Sequence, residues 1–142
     1  MTIHALRPWT DLVKLHPDVE AGALTEAVFA IDLGAIAAND PNVPVVNRDP
    51  EAFFRATYLT ADLRRLLDEV LASLCGKSGY NRVLKLRVPF GGGKSHTLAS
   101  HFHAAKNRGA LDGIPEAKDF ARPANVAVAV FDGEKFDARN GK

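Results

Sequence analysis

The sequence predicts an α/β protein: a helical N-terminal region over residues 1–78, then a strand–loop–helix–strand unit over residues 79–142. Three observations predict it. Leu63, Leu66, Leu67, Val70, Leu71 and Leu74 recur at helical spacing. The run from Val83 to Val88 alternates with period two, the pattern of a strand. Between that run and a renewed helical pattern stands Gly91-Gly92-Gly93-Lys94-Ser95.

The elements follow in order. Pro8 and Pro17 each break regular structure, and Pro17 suits the first position of a helical turn. Leu24, Val28, Ile31 and Ala35 mark one helical face, which ends at Asn39-Asp40-Pro41-Asn42; the stretch to Arg48 reads as loop. Asp49-Pro50-Glu51 is a helix start: Asp49 caps, Pro50 fits the first helical position and Glu51 meets the positive end of the helix dipole. Thr60 is a second cap, ahead of the leucine-rich helix, whose stripe reads as core and whose stop is Gly76. After the 82–88 strand and the glycine run, Leu98, Phe102 and Ala105 define a helix face that closes near Gly109. Residues 110–124 are turn-rich, with one helical turn at Pro115-Glu116. The apolar run Val126 to Phe131 reads as a strand buried on both faces, stopped by Asp132-Gly133.

A chain of 142 residues, 46% hydrophobic and 25% charged, has the composition of one globular domain. No apolar run approaches the ~18 residues of a membrane span. Residues 1–8 carry no signal-peptide pattern. The one cysteine, Cys75, excludes an internal disulfide and a multi-cysteine zinc site, and it reads as a small apolar filler. Together these point to a cytoplasmic protein without membrane partners. Residues 1–75 hold six Lys/Arg against eleven Asp/Glu, whereas residues 76–142 hold twelve against six. Handling of an anion by the second half accounts for this asymmetry, and so do two solvated faces of opposite sign.

The chemistry-bearing motif is Pro89-Phe90-Gly91-Gly92-Gly93-Lys94-Ser95-His96-Thr97. Glycines let the backbone take positive φ and approach an oxyanion without an intervening Cβ. Their N–H groups, with those of Lys94 and Ser95, can line one anion-binding concavity. A helix beginning there adds its dipole and its unpaired N–H groups. Lys94 can reach the β- and γ-phosphates of a nucleotide, and Ser95 can offer a hydroxyl to Mg²⁺. Two glycines beyond the usual Gly-Lys-Ser cut chance occurrence about two-hundredfold, at a Gly frequency of about 7%. The loop departs from G-x-x-x-x-G-K-[ST] at its entrance, where Val88 replaces the first glycine and Pro89 removes a backbone donor. The competing reading is a glycine-rich turn with an exposed lysine.

The segment Pro89 to Leu98 resembles the phosphate loop of a family of large prokaryotic ATPases of unknown function, an AAA+-like branch of the P-loop NTPases typically encoded beside DNA methyltransferases in phage-defence loci. Leu6-Arg7-Pro8-Trp9, His16-Pro17-Asp18-Val19, Asp49 to Phe54 and Thr57-Tyr58-Leu59-Thr60 are similar to that family's lead-in, so the resemblance covers most of the chain. It implies ATP and Mg²⁺ as cofactors, with Gly91, Gly92, Gly93 and Lys94 on the phosphates and Ser95 on the metal. His96 is counted with the binding loop by position, but the resemblance assigns it no role, and in the first helical turn it reads as a neutral cap-region residue. It also implies that the chain is the N-terminal portion of an AAA+-like P-loop NTPase, with the start of its core at 79–142. The partners implied are nucleotide, the remaining domains of a longer ATPase and DNA-associated defence proteins.

Asp132 closes an apolar strand as a Mg²⁺-organising Walker B acid does, but its separation from Lys94 is short for that pair, and it reads more readily as a strand-end turn residue. No residue stands out to activate water or neutralise transition-state charge, as hydrolysis needs. His101 and His103, two apart on a helix, face different ways and do not form a chelating pair. A small phosphotransferase is a weaker reading, because such enzymes start near the loop strand. A non-catalytic interaction module with a degenerate loop is the other alternative.

Overall fold

Proline or a capping side chain sets where most of the helices begin. In the computed structural model, which describes residues 7–15, 17–22, 25–131 and 133, a 3₁₀ turn at Trp9–Asp11 precedes α1 (Pro17–Glu20). Next come α2 (Glu26–Phe29), α3 (Leu33–Ala37), α4 (Val45–Arg48), α5 (Pro50–Arg55), α6 (Ala61–Leu74) and α7 (Lys94–Lys106). A final 3₁₀ turn covers Pro115–Ala117, where one helical turn was expected.

The expected caps form. The Asp49 carboxylate accepts from the Ala52 N–H at 2.7 Å, with Pro50 in the first helical position of α5. Thr60 Oγ1 accepts from the Leu63 N–H at 3.2 Å, and α6 ends at Leu74, two residues before Gly76. The single helical face expected from Leu24 to Ala35 is broken. Ala30 leaves the helical region at ψ 84°, and Asp32 turns its carboxylate onto the Ala35 N–H at 3.0 Å to start α3 afresh. Aspartate competes with the backbone for its own hydrogen bonds, so it caps a helix more readily than it continues one. The loop expected before Arg48 contains α4, entered through Pro44 at φ −51°.

The α/β expectation is overturned: among the described residues there is no strand, and the strand–loop–helix–strand unit of a P-loop NTPase core is not formed. The period-two pattern is nonetheless physical. Leu84 and Leu86 are half-buried while Val83, Lys85 and Arg87 are exposed. Val126, Val128 and Val130 are half-buried while Ala127 and Ala129 are exposed. A strand requires a hydrogen-bonded neighbour as well as an alternating face. Each run instead presents one side inward without joining a ladder. The 82–88 run is entered beside α6, where Asn81 Nδ2 donates to Glu69 Oε1 at 2.8 Å.

One core unites the helices. Ile36 of α3, Phe53 and Phe54 of α5, and Leu63, Leu67 and Leu71 of α6 are buried with Ala99 and Ala104 of α7. Leu111 and Ala117 close it from the turn-rich segment. The buried face of α7 is made of small residues and one imidazole, Ala99, Ser100, His103 and Ala104, which lets α6 and α5 approach closely. No helix among the described residues is long and apolar enough to cross a membrane. Cys75, expected as an apolar filler, is exposed at the end of α6.

Leu67 has no exposed surface. Its replacement by Ala is expected to cost about 2–5 kcal/mol, and Thr60→Ala about 1 kcal/mol through loss of the cap. Urea denaturation read by circular dichroism measures both.

Candidate functional site

The glycine run turns the chain from the 82–88 segment into α7. Gly91 and Gly93 sit in the left-handed region at φ 76° and 74°. A Cβ on Gly92 would lie 3.0 Å from both the Pro89 carbonyl oxygen and Val88 Cβ, so a side chain has no room there. The Gly92 N–H closes the turn on Pro89 O at 3.1 Å. The altered entrance thus acquires a role: Pro89 lacks a donor, but its carbonyl is the acceptor that shapes the loop.

Lys94 starts α7, with Gly93 as its N-cap. Glycine supplies no capping oxygen, and the first turn holds no acidic side chain. The early N–H groups of a helix have no intrahelical acceptor, and the dipole makes that end positive. The Lys94 ammonium folds back over the loop and donates to the carbonyls of Val88 and Pro89, both at 3.0 Å. Carbonyls are weaker acceptors for an ammonium than phosphate oxygens are. Ser95 is exposed in the same turn.

Gly91, Gly92, Gly93, Lys94, Ser95 and His96 all line one cavity of about 730 Å³, within the usual range of small-molecule sites. Its opposite wall comes from the lead-in: Val28, Phe29 and Ile31 around α2, Val46 and Asn47 of α4, and Phe53 and Thr57 from α5 onward. The six candidate residues of the loop are therefore brought together. Asp132, the remaining candidate, lies outside the described residues.

His96 is anchored from the side. Its ring stacks on Phe53, with centroids 4.8 Å apart and planes 26° apart. Its Nε2 lies 3.1 Å from Thr57 Oγ1, whose own proton goes to the Phe53 carbonyl at 2.7 Å. The hydroxyl has only lone pairs left to offer, so Nε2 carries the imidazole proton. One helical repeat further, His103 is buried and meets the same ring at 4.9 Å. Its Nε2 donates to the Asn47 carbonyl at 2.9 Å, which leaves Nδ1 buried with no hydrogen-bond partner among the described residues. Burial pushes both imidazoles below the ordinary value of 6.5. At His103 the hydrogen bond to Asn47 and the Asp49 charge oppose that shift without overcoming it.

Sequence patterning missed the cavity wall and His103. The signal for His103 was its register: it lies four residues after Ala99 and seven after His96, on the inward face of the helix. His101 and His103 do diverge, since His101 Nδ1 donates to its own helix at the Thr97 carbonyl, 2.6 Å away. Among the described residues no group of three or more His, Cys, Asp or Glu could hold a metal.

The family assignment rests on a match spanning residues 8–123 to the DUF499 N-terminal domain. The chain belongs to this family. The matched span contains the whole DUF499 cavity, from the lead-in wall through the glycine loop to α7, and stops short of Asp132. No curated protein and no solved structure matches the chain.

The neutral histidines give this DUF499 domain a pH-dependent stability. An imidazole held below 6.5 in the fold takes its proton more readily when unfolded. Stability is therefore full above pH 6.5, falls as pH drops below that value and levels off below the folded pKa. Urea midpoints at pH 7.5 and 5.5 are expected to show the loss, and His103→Gln is expected to remove part of it.

Proposed function

We propose that this domain binds a nucleoside triphosphate, ATP, together with Mg²⁺, through the loop Gly91 to Ser95. The observation that carries the proposal is the convergence on one cavity of two left-handed glycines, the uncapped start of α7 and the Lys94 ammonium, together with a wall rich in apolar side chains. Amides and a cation on one side suit a polyanion. An apolar wall on the other suits the flat face of a base.

On binding, Lys94 exchanges the carbonyls of Val88 and Pro89 for phosphate oxygens, and Gly92 holds the loop open enough for its amides to approach the ligand. Ser95 would offer its hydroxyl to Mg²⁺ carried by the triphosphate, an ion that would supply neutralisation of phosphate charge. His96, neutral and tied to Thr57, adds no charge of its own and fixes the first turn of α7 against α5. These features support binding, and the proposal stops there.

Titration of a fluorescent ATP analogue in the presence of Mg²⁺ is the direct test. Wild-type protein is expected to bind, and Lys94→Ala to weaken binding at least about tenfold through loss of a charge-assisted contact. Equal binding by Lys94→Ala, or none by folded wild type, overturns the proposal.

A further inference from the structure

The wall opposite the glycine loop is built from short pieces that cannot hold their positions alone. Helix α2 has four residues, and so does α4. The side chain of Asn47 joins them. Asn47 of α4 is 5% exposed, and its amide Nδ2 donates to the carbonyl of Val28 in α2 at 2.9 Å. The backbone carbonyl of the same residue accepts from His103 Nε2 of α7 at 2.9 Å. A continuous chain of hydrogen bonds thus runs from the phosphate-loop helix, through Asn47, to the residues facing the loop across the cavity.

Phe29 follows directly. Its side chain lines the cavity and is nonetheless 71% exposed. A large aromatic left open beside a charged loop gains nothing in the free domain, and an aromatic ligand packed against it would be worth burying. Val28 and Val46 continue the same apolar surface toward Phe53. Asp32, Asn47 and Thr57 share this side of the lining with the apolar residues, and Phe90 stands with the loop. The loop thus brings backbone amides and the Lys94 ammonium to the cavity, and the lead-in brings most of its apolar surface, a pairing that suits a nucleotide.

We propose that the Val28–Phe29 wall, held in place by Asn47, receives the nucleoside end of the ligand, and that Asn47 is a positioning residue for nucleoside recognition. The inference rests on the nucleotide reading above. Asn47 acts through Val28 and does not itself supply the surface. Its effect falls on the margin by which the site prefers a nucleotide over bare polyphosphate, while phosphate binding stays with the loop.

The experiment compares two probes, ATP and inorganic tripolyphosphate, each with Mg²⁺, by calorimetric titration of wild type, Asn47→Leu and Phe29→Ala. Asn47→Leu keeps the branched shape with methyl groups in place of the amide and leaves the backbone carbonyl for His103, so the bond to Val28 is lost while the link to α7 remains. Wild type is expected to bind ATP more tightly than tripolyphosphate. Asn47→Leu is expected to lower ATP affinity about tenfold, and Phe29→Ala about fivefold, with tripolyphosphate affinity unchanged in both. Should Asn47→Leu not fold, Asn47→Ser replaces it, polar but too short to reach the Val28 carbonyl. The exposed Phe29 side chain makes its variant safe for folding. Absence of any margin in wild type, a margin retained in the variants, or an equal loss for both probes overturns this inference while leaving phosphate binding by the loop intact. Failure of wild type to bind either probe overturns the nucleotide reading and this inference with it.

Discussion

The ring of Phe53 is the point on which the arrangement turns. It comes from a six-residue helix, α5, too short to stand alone, and it is 2% exposed. Two imidazoles of α7, one near each end of that helix, lie against it. Each imidazole then spends its one N–H on the lead-in: His96 on Thr57, His103 on Asn47. Packing sets the distance between lead-in and loop helix, and the two hydrogen bonds set their rotation and register. Dispersion and apolar burial supply most of the stabilisation in such a contact, whereas directional bonds choose one geometry among several. The price is two histidines that must stay neutral.

Everything at the cavity inherits this constraint. The glycine loop is held by α7, and the apolar wall is held by α4 and α5. Phe53 fixes the separation between them. The long helix α6 takes no part in the lining; it supports α7 from behind through Leu63, Leu67 and Leu71. A site divided between a sturdy helix and several short ones combines a firmly placed glycine loop with a wall that depends on a few polar links.

What could be read from the sequence was whatever local chemistry decides. Asp49, Pro50 and Thr60 specify helix starts through their own side chains, and those starts were legible. So was the inward face of α6, because a leucine every three or four residues needs no partner to be recognised. The segments 82–88 and 126–131 mark the limit. In 82–88 the alternation separates half-buried Leu84 and Leu86 from exposed Val83, Lys85 and Arg87, whereas 126–131, expected to be buried on both faces, leaves Ala127 and Ala129 exposed; pairing into a sheet depends on a neighbour that periodicity does not encode. The break at Asp32 was hidden because an apolar face can continue across two helices. At the site, the loop was legible as a run of glycines followed by Lys94 and Ser95. The wall was not, since Val28, Asn47 and Thr57 reach the cavity through tertiary contacts between elements scattered over thirty residues of sequence.

The folded-back pose of Lys94 has a consequence for what the loop admits. Its ammonium already satisfies two carbonyls of the loop it serves. In the nucleotide reading proposed above, an incoming anion would have to replace both contacts at once, and hydrogen bonds to a charged group contribute about 1.5–3 kcal/mol each where they are shielded from water. A group with several negative oxygens would offer the ammonium more in exchange than a singly charged ion. The resting lysine would then act as a threshold, sorting ligands by charge density ahead of shape.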